Sequence, residues 1–224
     1  ICTGGVVVRS GMVEKEGFAA LGLRLRSEGI SDLDLLTAVE QTPRSQFVPP
    51  SMAEDAYSSR TLPIECGSFM EGADLAVRLL HRLQVKPGHR VLEIGTGSGF
   101  TAAVIGRIAE RVLSVERYKT LVLAAQGRID SGGLRNVIIR QADGSNGMPG
   151  EGTFDRILVT AAFTSLPRFY AEQLTHGGSM IAPLMLDGDV CMMTRLTKTG
   201  SRFEREDLFP APYLPIVPQI ASAL

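Results

Sequence analysis

The segment Val91-Leu-Glu-Ile-Gly-Thr-Gly-Ser-Gly-Phe100 constrains this chain more than any other. Four strand-forming residues run straight into three glycines at alternate positions, and a helical pattern follows. Glycine there permits a tight turn and lets the backbone approach a ligand closely. The helix that follows offers unpaired N–H groups at its start. Such a junction belongs to a sheet whose ligands bind beyond the carboxyl ends of its strands.

The rest of the chain extends this pattern. Strands are expected at 90–94, 112–116, 136–140 and 154–159, and helices at 98–109, 118–129 and 166–174. Strand–helix alternation implies right-handed crossovers and a parallel sheet. Late strands at 178–184, 190–196 and 203–209 have no long helix between them, so the sheet should end antiparallel. Pro210 to Pro218 carries four prolines and cannot form a central strand. The expected fold is α/β and Rossmann-like: a mostly parallel sheet of about seven strands, helices on both faces and an N-terminal helical cap.

The N-terminal part reads as helical. Phe18, Leu21, Leu25 and Ile30 share one face, and Leu33, Leu36 and Val39 repeat the pattern in a shorter helix begun at Ser31. Another helix is expected from Glu71 to Leu83. Residues 1–11 match nothing downstream and read as a loose extension, with Met12 as the expected functional start. Residues 12–224 read as one domain: a helical cap and substrate segment at 12–84, then a ligand-binding sheet at 85–224.

The glycine spacing narrows the ligand. A dinucleotide loop has its third glycine one place later, where this chain has Phe100. A phosphate-binding P-loop needs a lysine that is absent here. Glu93, expected at the mouth of the loop, would repel a diphosphate. It suits S-adenosylmethionine, which carries an ammonium, a sulfonium and no phosphate. Glu116 ends the next strand, 21 residues after Gly95, where a carboxylate can accept both ribose hydroxyls. Asp143 follows the third strand, placed to accept an adenine amino group, and Gly144 leaves room for the ring. Gly95, Thr96, Gly97, Ser98, Gly99, Glu93, Glu116, Asp143 and Gly144 are therefore the expected cofactor residues.

Charge and cysteine content exclude other classes. With 23 basic and 24 acidic side chains, no strong field for nucleic acid or an anionic membrane is implied. No apolar run reaches the ~20 residues of a membrane span. Cys2, Cys66 and Cys191 are odd in number and widely spaced, and the three histidines show no ligand spacing. That argues against a disulfide framework or metal site and for a reducing, cytoplasmic compartment. The methionines read as core filling, and Cys66 as a small apolar residue.

The chain resembles protein-L-isoaspartate O-methyltransferases from about Met12 onward. The resemblance is carried by the glycine segment, Leu113-Ser-Val-Glu-Arg117, Gly133-Leu-Arg-Asn-Val137, Ala142-Asp-Gly144 and Phe154 to Ala162. Pro43-Arg-Ser-Gln-Phe-Val-Pro49, Ala56-Tyr57 and Leu62-Pro-Ile64 carry its N-terminal part. It implies a cytosolic repair enzyme that methylates the carboxylate of isomerised aspartyl residues in other proteins, using S-adenosylmethionine.

One segment departs from that family. Where it has Gln-Thr-Ile-Ser after a glycine, this chain has Ser68-Phe-Met-Glu71. By resemblance Ser68, Phe69, Met70 and Ala161 line the substrate side, and Glu71 takes the place of the active-site serine. An ionised Glu71 would repel an incoming carboxylate by about 4 kcal/mol at 4 Å and an effective dielectric of ~20. Glu71 could instead be a solvent-facing acid at a helix start, or a neutral carboxyl acting as donor or base. Phe163 stands where the family has a small residue or proline, and could narrow the substrate mouth. Tyr213 and Leu214 are expected near that mouth. An acceptor other than isoaspartate, or a catalytically weak cofactor-binding relative, is the alternative these departures leave open. Nothing in the sequence sets the oligomeric state.

Overall fold

The computed structural model describes residues 4–185 and 190–222, with side chains from residue 11 onward. Cys2 and the first three residues of the expected extension lie outside the described residues. Helix α1 spans Gly4–Ser27, so the remainder of that stretch is helical rather than loose. Leu21 and Leu25 of α1 are fully buried. Its Arg24 reaches across with Nε and Nη2 to both oxygens of Asp74, at 2.7 and 2.9 Å, and fastens α1 to the cap.

Helix α2 is Leu33–Glu40. It starts at Asp32 rather than Ser31, because the Asp32 carboxylate accepts the free N–H groups of Asp34 and Leu35. Its buried face is Leu35, Ala38 and Val39, while Leu33 is 78% exposed. Two 3₁₀ turns follow, Arg44–Phe47 and Pro50–Asp55. A short hairpin of β1 (Leu62–Pro63) and β2 (Phe69–Met70) then leads into α3 (Ala73–Leu83). Gly72 caps α3, where a Cβ would meet the Ser59 carbonyl oxygen at 2.1 Å. Helix α3 thus begins two residues after Glu71, which lies outside it.

The main sheet begins with β3 (Arg90–Ile94), α4 (Phe100–Gly106), β4 (Arg111–Glu116), α5 (Lys119–Ser131), β5 (Val137–Gln141) and β6 (Phe154–Val159). It continues with β7 (Leu174–Leu184), β8 (Met192–Thr199) and β9 (Arg202–Pro210). The order across the sheet is β5-β4-β3-β6-β7-β8-β9. The first five of these are parallel neighbours, and β8 and β9 are added antiparallel by hairpins. This is the mostly parallel seven-stranded architecture expected. The helix expected at 166–174 is a 3₁₀ turn, Arg168–Gln173, and β7 begins directly after it.

Side-chain alternation divides the core. Val91, Val112, Val137 and Leu158 face one layer, with the buried faces of all five α-helices. Leu92, Ile94, Leu113, Val115, Ile157 and Val159 face the other, covered by the 3₁₀ turn at Tyr170 and by loops. Helices were expected on both faces, but the α-helices all pack on the first, and the second is closed by the 3₁₀ turn and irregular chain. The outer edge strand β9 is mostly exposed and carries Glu204, Arg205, Glu206 and Asp207.

Candidate active site

A cavity of about 250 Å³ opens at the carboxyl ends of β3, β4, β5 and β6. One wall is the glycine loop. Gly95 and Gly97 have φ of +97° and +53°, and Gly99 at +88° caps α4. A Cβ on Gly95 would stand 2.3 Å from Thr160 Oγ1, so the conformation and the packing both require glycine. The N–H groups of Gly95 and Thr96 donate to the Val115 carbonyl at 2.8 and 3.2 Å, which holds the loop against β4. Gly95, Thr96, Gly97 and Ser98 line the cavity; Gly99 lies behind it.

Glu116 lies at the end of β4 and lines the cavity. One oxygen accepts Gly97 N–H at 3.1 Å, and the other accepts the N–H groups of Arg117 and Tyr118 at 2.8 and 3.1 Å. A carboxylate has about four acceptor positions. Glu116 therefore fixes the loop and retains capacity for a ligand's hydroxyl. Gly144 also lines the cavity, and a Cβ there would stand 2.5 Å from Ile94 Cγ2.

Two expected cofactor residues are placed elsewhere. Glu93 is fully buried beneath the loop, not at its mouth. The hydroxyls of Thr101 and Ser114 donate to its carboxylate, and Thr96 Oγ1 stands 2.6 Å from Ser114 Oγ. Since Ser114 gives its proton to Glu93, Thr96 is the donor in that last bond. Burial, opposed by these two hydrogen bonds, pushes the Glu93 carboxyl up to about 7. The reason for its position is strand parity: Glu93 shares a face with Val91 and so points toward α4.

Asp143 likewise does not line the cavity. Its oxygens accept the N–H groups of Ser145 at 2.8 Å and Gln219 at 2.7 Å. Burial opposes its ionisation, but these bonds, with Arg117 nearby, hold the carboxyl below its usual range. Its partner is thus the C-terminal segment. That segment crosses the cavity as a strap. Ala162 N–H donates to the Leu214 carbonyl and Ile216 N–H to the Ala162 carbonyl, both at 2.8 Å. Ala221 N–H donates to the Arg117 carbonyl at 3.1 Å.

The second wall combines β2 with this strap. Ser68, Phe69, Met70, Glu71 and Ala161 all line the cavity, as do Tyr213 and Leu214. The Tyr213 hydroxyl donates to Glu71 Oε1 at 2.8 Å across 142 residues of sequence. Burial, reinforced by the Glu71 charge and hydrogen bond, raises the Tyr213 hydroxyl well above its ordinary pKa, so it remains a donor. Beneath Glu71 lies Arg44, fully buried. Its Nη2 donates to the Glu71 carbonyl, its Nε to the Ala56 carbonyl at 2.7 Å, and its guanidinium stacks 4.4 Å from the Phe100 ring centroid. Glu71 is thus a cavity residue, and the solvent-facing helix-start reading is set aside.

Phe163 does not narrow the mouth. It is 5% exposed, packs edge-on against Tyr170 at 5.7 Å between ring centroids, and belongs to the core of the second face. Its backbone bridges Leu184 at the end of β7, with Phe163 N–H donating to the Pro183 carbonyl at 2.9 Å, which seats the ring in the core. Residues unforeseen in the sequence also reach the cavity: Thr101, Arg117, Tyr118, Ser145, Thr160, Ile216 and Val217. Strand ends could have flagged Thr160 and Ser145. Nothing local signals Ile216 and Val217. Among the described residues no group of acids, histidines or cysteines could hold a metal.

Residues 18–221 match the family model for protein-L-isoaspartate(D-aspartate) O-methyltransferase. A protein-L-isoaspartate O-methyltransferase of Rhizobium meliloti is 63% identical over 204 residues, 91% of this chain and 100% of the relative. The enzyme of the same name from Azorhizobium caulinodans is 41% identical over 211 residues, 94% and 97% of the two chains. The chain belongs to this family. The fold agrees: a solved protein-L-isoaspartate O-methyltransferase superposes with a TM-score of 0.79 at 25% identity, covering 92% of this chain and 67% of that one. A Plasmodium falciparum structure, described as a putative member of the family in complex with S-adenosyl-L-homocysteine, gives 0.77 at 23% identity and covers 88% and 97%. The segment Ser68 to Glu71 lies inside the region matched by the family model.

Proposed function

We propose that this chain is an S-adenosylmethionine-dependent protein carboxyl methyltransferase acting on L-isoaspartyl residues of other proteins. The observation that carries this reading is the family match over residues 18–221. The donor set of the cavity fits the cofactor: a glycine backbone, the spare acceptor capacity of Glu116 and a small residue at Gly144. Arg117 is the only cationic side chain on the described lining, so no phosphate clamp is present.

When bound, S-adenosylmethionine supplies an electrophilic methyl group on a cationic sulfur. The chain's own residues align and enclose the reactants, which is most of what a methyl transfer needs. Gly95 to Ser98 and Gly144 form the cradle, and Glu116 is placed for the ribose hydroxyls. Glu93 holds the loop from below through Ser114, Thr96 and Thr101. Asp143 acts through the strap, tying it down at Gln219. The strap excludes water above the cradle. Ser68 to Glu71, with Ala161 and Tyr213, form the side where the acceptor carboxylate enters. A cytoplasmic location is part of this proposal, supported by the free thiols of Cys66 and Cys191.

The test is transfer of radiolabelled methyl groups from S-adenosylmethionine to an isoaspartyl peptide, with the matching aspartyl peptide as control. Base-labile label on the isoaspartyl peptide alone is expected. Equal label on both peptides, or on neither, would sink the reading.

A further inference from the structure

Glu71 is held more firmly than a surface acid. Its carbonyl accepts from buried Arg44, and Oε1 accepts from Tyr213, which is 4% exposed. These two partners come from distant parts of the chain and leave the carboxylate little freedom to swing away. Its other oxygen, Oε2, accepts no hydrogen bond from any described residue, and the side chain lines the cavity. An acceptor oxygen on a fixed arm, facing open space, is a built recognition element.

The surrounding charge says what it recognises. Glu71 and Glu116 both line the cavity. Arg117 is turned toward the strap, its Nε donating to the Gln219 carbonyl at 3.3 Å. Arg44 contacts the Glu71 backbone and makes no ion pair with its carboxylate. An acceptor carboxylate on this wall is repelled by the unshared oxygen of Glu71, which neither Arg44 nor Arg117 contacts. A neighbouring positive charge on the same substrate would offset that repulsion.

We propose that Glu71 is a specificity-determining residue whose free oxygen receives a cationic side chain adjoining the isoaspartyl residue, so that lysine- or arginine-flanked damage sites are preferred. This rests on isoaspartyl methylation being the activity. The cofactor's own ammonium is the competing cation. Glu71 belongs to the β2 and strap wall rather than the glycine cradle, which favours the substrate.

The experiment uses isoaspartyl hexapeptides identical except for lysine, glutamine or glutamate on either side of the isoaspartate. The wild type is expected to favour lysine over glutamate in kcat/KM by roughly tenfold, mostly through KM and less at high salt. Glu71→Gln should reduce that ratio to about twofold by losing ground on the lysine peptides, and Glu71→Asp should recover part of it. Calorimetry with S-adenosylmethionine on each variant confirms folding and separates the two cations. An unchanged ratio in Glu71→Gln overturns the proposal. So does an equal loss on every peptide with weakened cofactor binding, which would assign the carboxylate to the cofactor. Methylation of none of the peptides by wild type, with cofactor binding intact, would instead remove the isoaspartyl activity, and this proposal with it.

Discussion

The two walls of the cavity are built by different means. The glycine wall is local: a strand, a turn and a helix start within a dozen residues, with the backbone itself as the binding surface. The other wall is assembled from a hairpin near residue 70, a guanidinium from residue 44 and a strap beyond residue 210. Its contacts are side-chain bonds across long separations. Damage to the first should act on the cofactor and be severe, because backbone geometry has no substitute. Damage to the second should act on the acceptor and be graded.

The largest effect is expected from Gly95→Val. A side chain there meets Thr160 at 2.3 Å and is strained at φ +97°. A combined cost of about 3–5 kcal/mol should lower cofactor affinity at least a hundredfold in titration calorimetry. Binding within threefold of wild type would show that the loop is not the rigid element described here.

The next concerns Glu93. Its folded carboxyl titrates near 7 against 4.5 for the unfolded chain. The folded state therefore holds a proton that the unfolded state has released, and stability falls as pH rises from about 4.5 to 7. The full window corresponds to about 3 kcal/mol, from 1.36 kcal/mol per pKa unit. Glu93→Gln should flatten this decline in urea midpoints measured at pH 5 and 7.5. An undiminished slope in that variant would mean the buried charge lies elsewhere.

The smallest is Tyr213→Phe, which removes one hydrogen bond between strap and hairpin. A loss of about 1 kcal/mol should raise peptide KM roughly fivefold and leave cofactor affinity within twofold. A larger change in cofactor binding than in peptide KM would erase the distinction between the walls.

The same division explains what could be read from sequence. The sheet and the loop were legible because strand–helix alternation and glycine spacing are local patterns. Glu116 reaches the cavity for the same reason, at the end of a strand that the local pattern marks. Glu93 and Asp143 were found, but their orientations were not. Glu93 obeys the two-residue alternation of a strand, which the motif alone obscures. Asp143 is claimed by a backbone N–H from residue 219, which no local pattern announces. The inward turn of Phe163 depends on its bridge to Leu184, some twenty residues away, which no local pattern announces. The helix expected at 166–174 shortened to a 3₁₀ turn beside a strand that starts at Leu174.

The charged outer strand β9 has its own consequence. An enzyme that works on other proteins' backbones meets segments of chain with unpaired N–H and C=O groups, and an open sheet edge would invite them to pair with it. On β9, Glu206 is tied back to Arg195 and Arg205 to Asp207, at 2.8 and 2.7 Å. An added strand would have to approach through this row of paired charges. The β9 edge is therefore a poor template for strand addition by the polypeptide the enzyme handles.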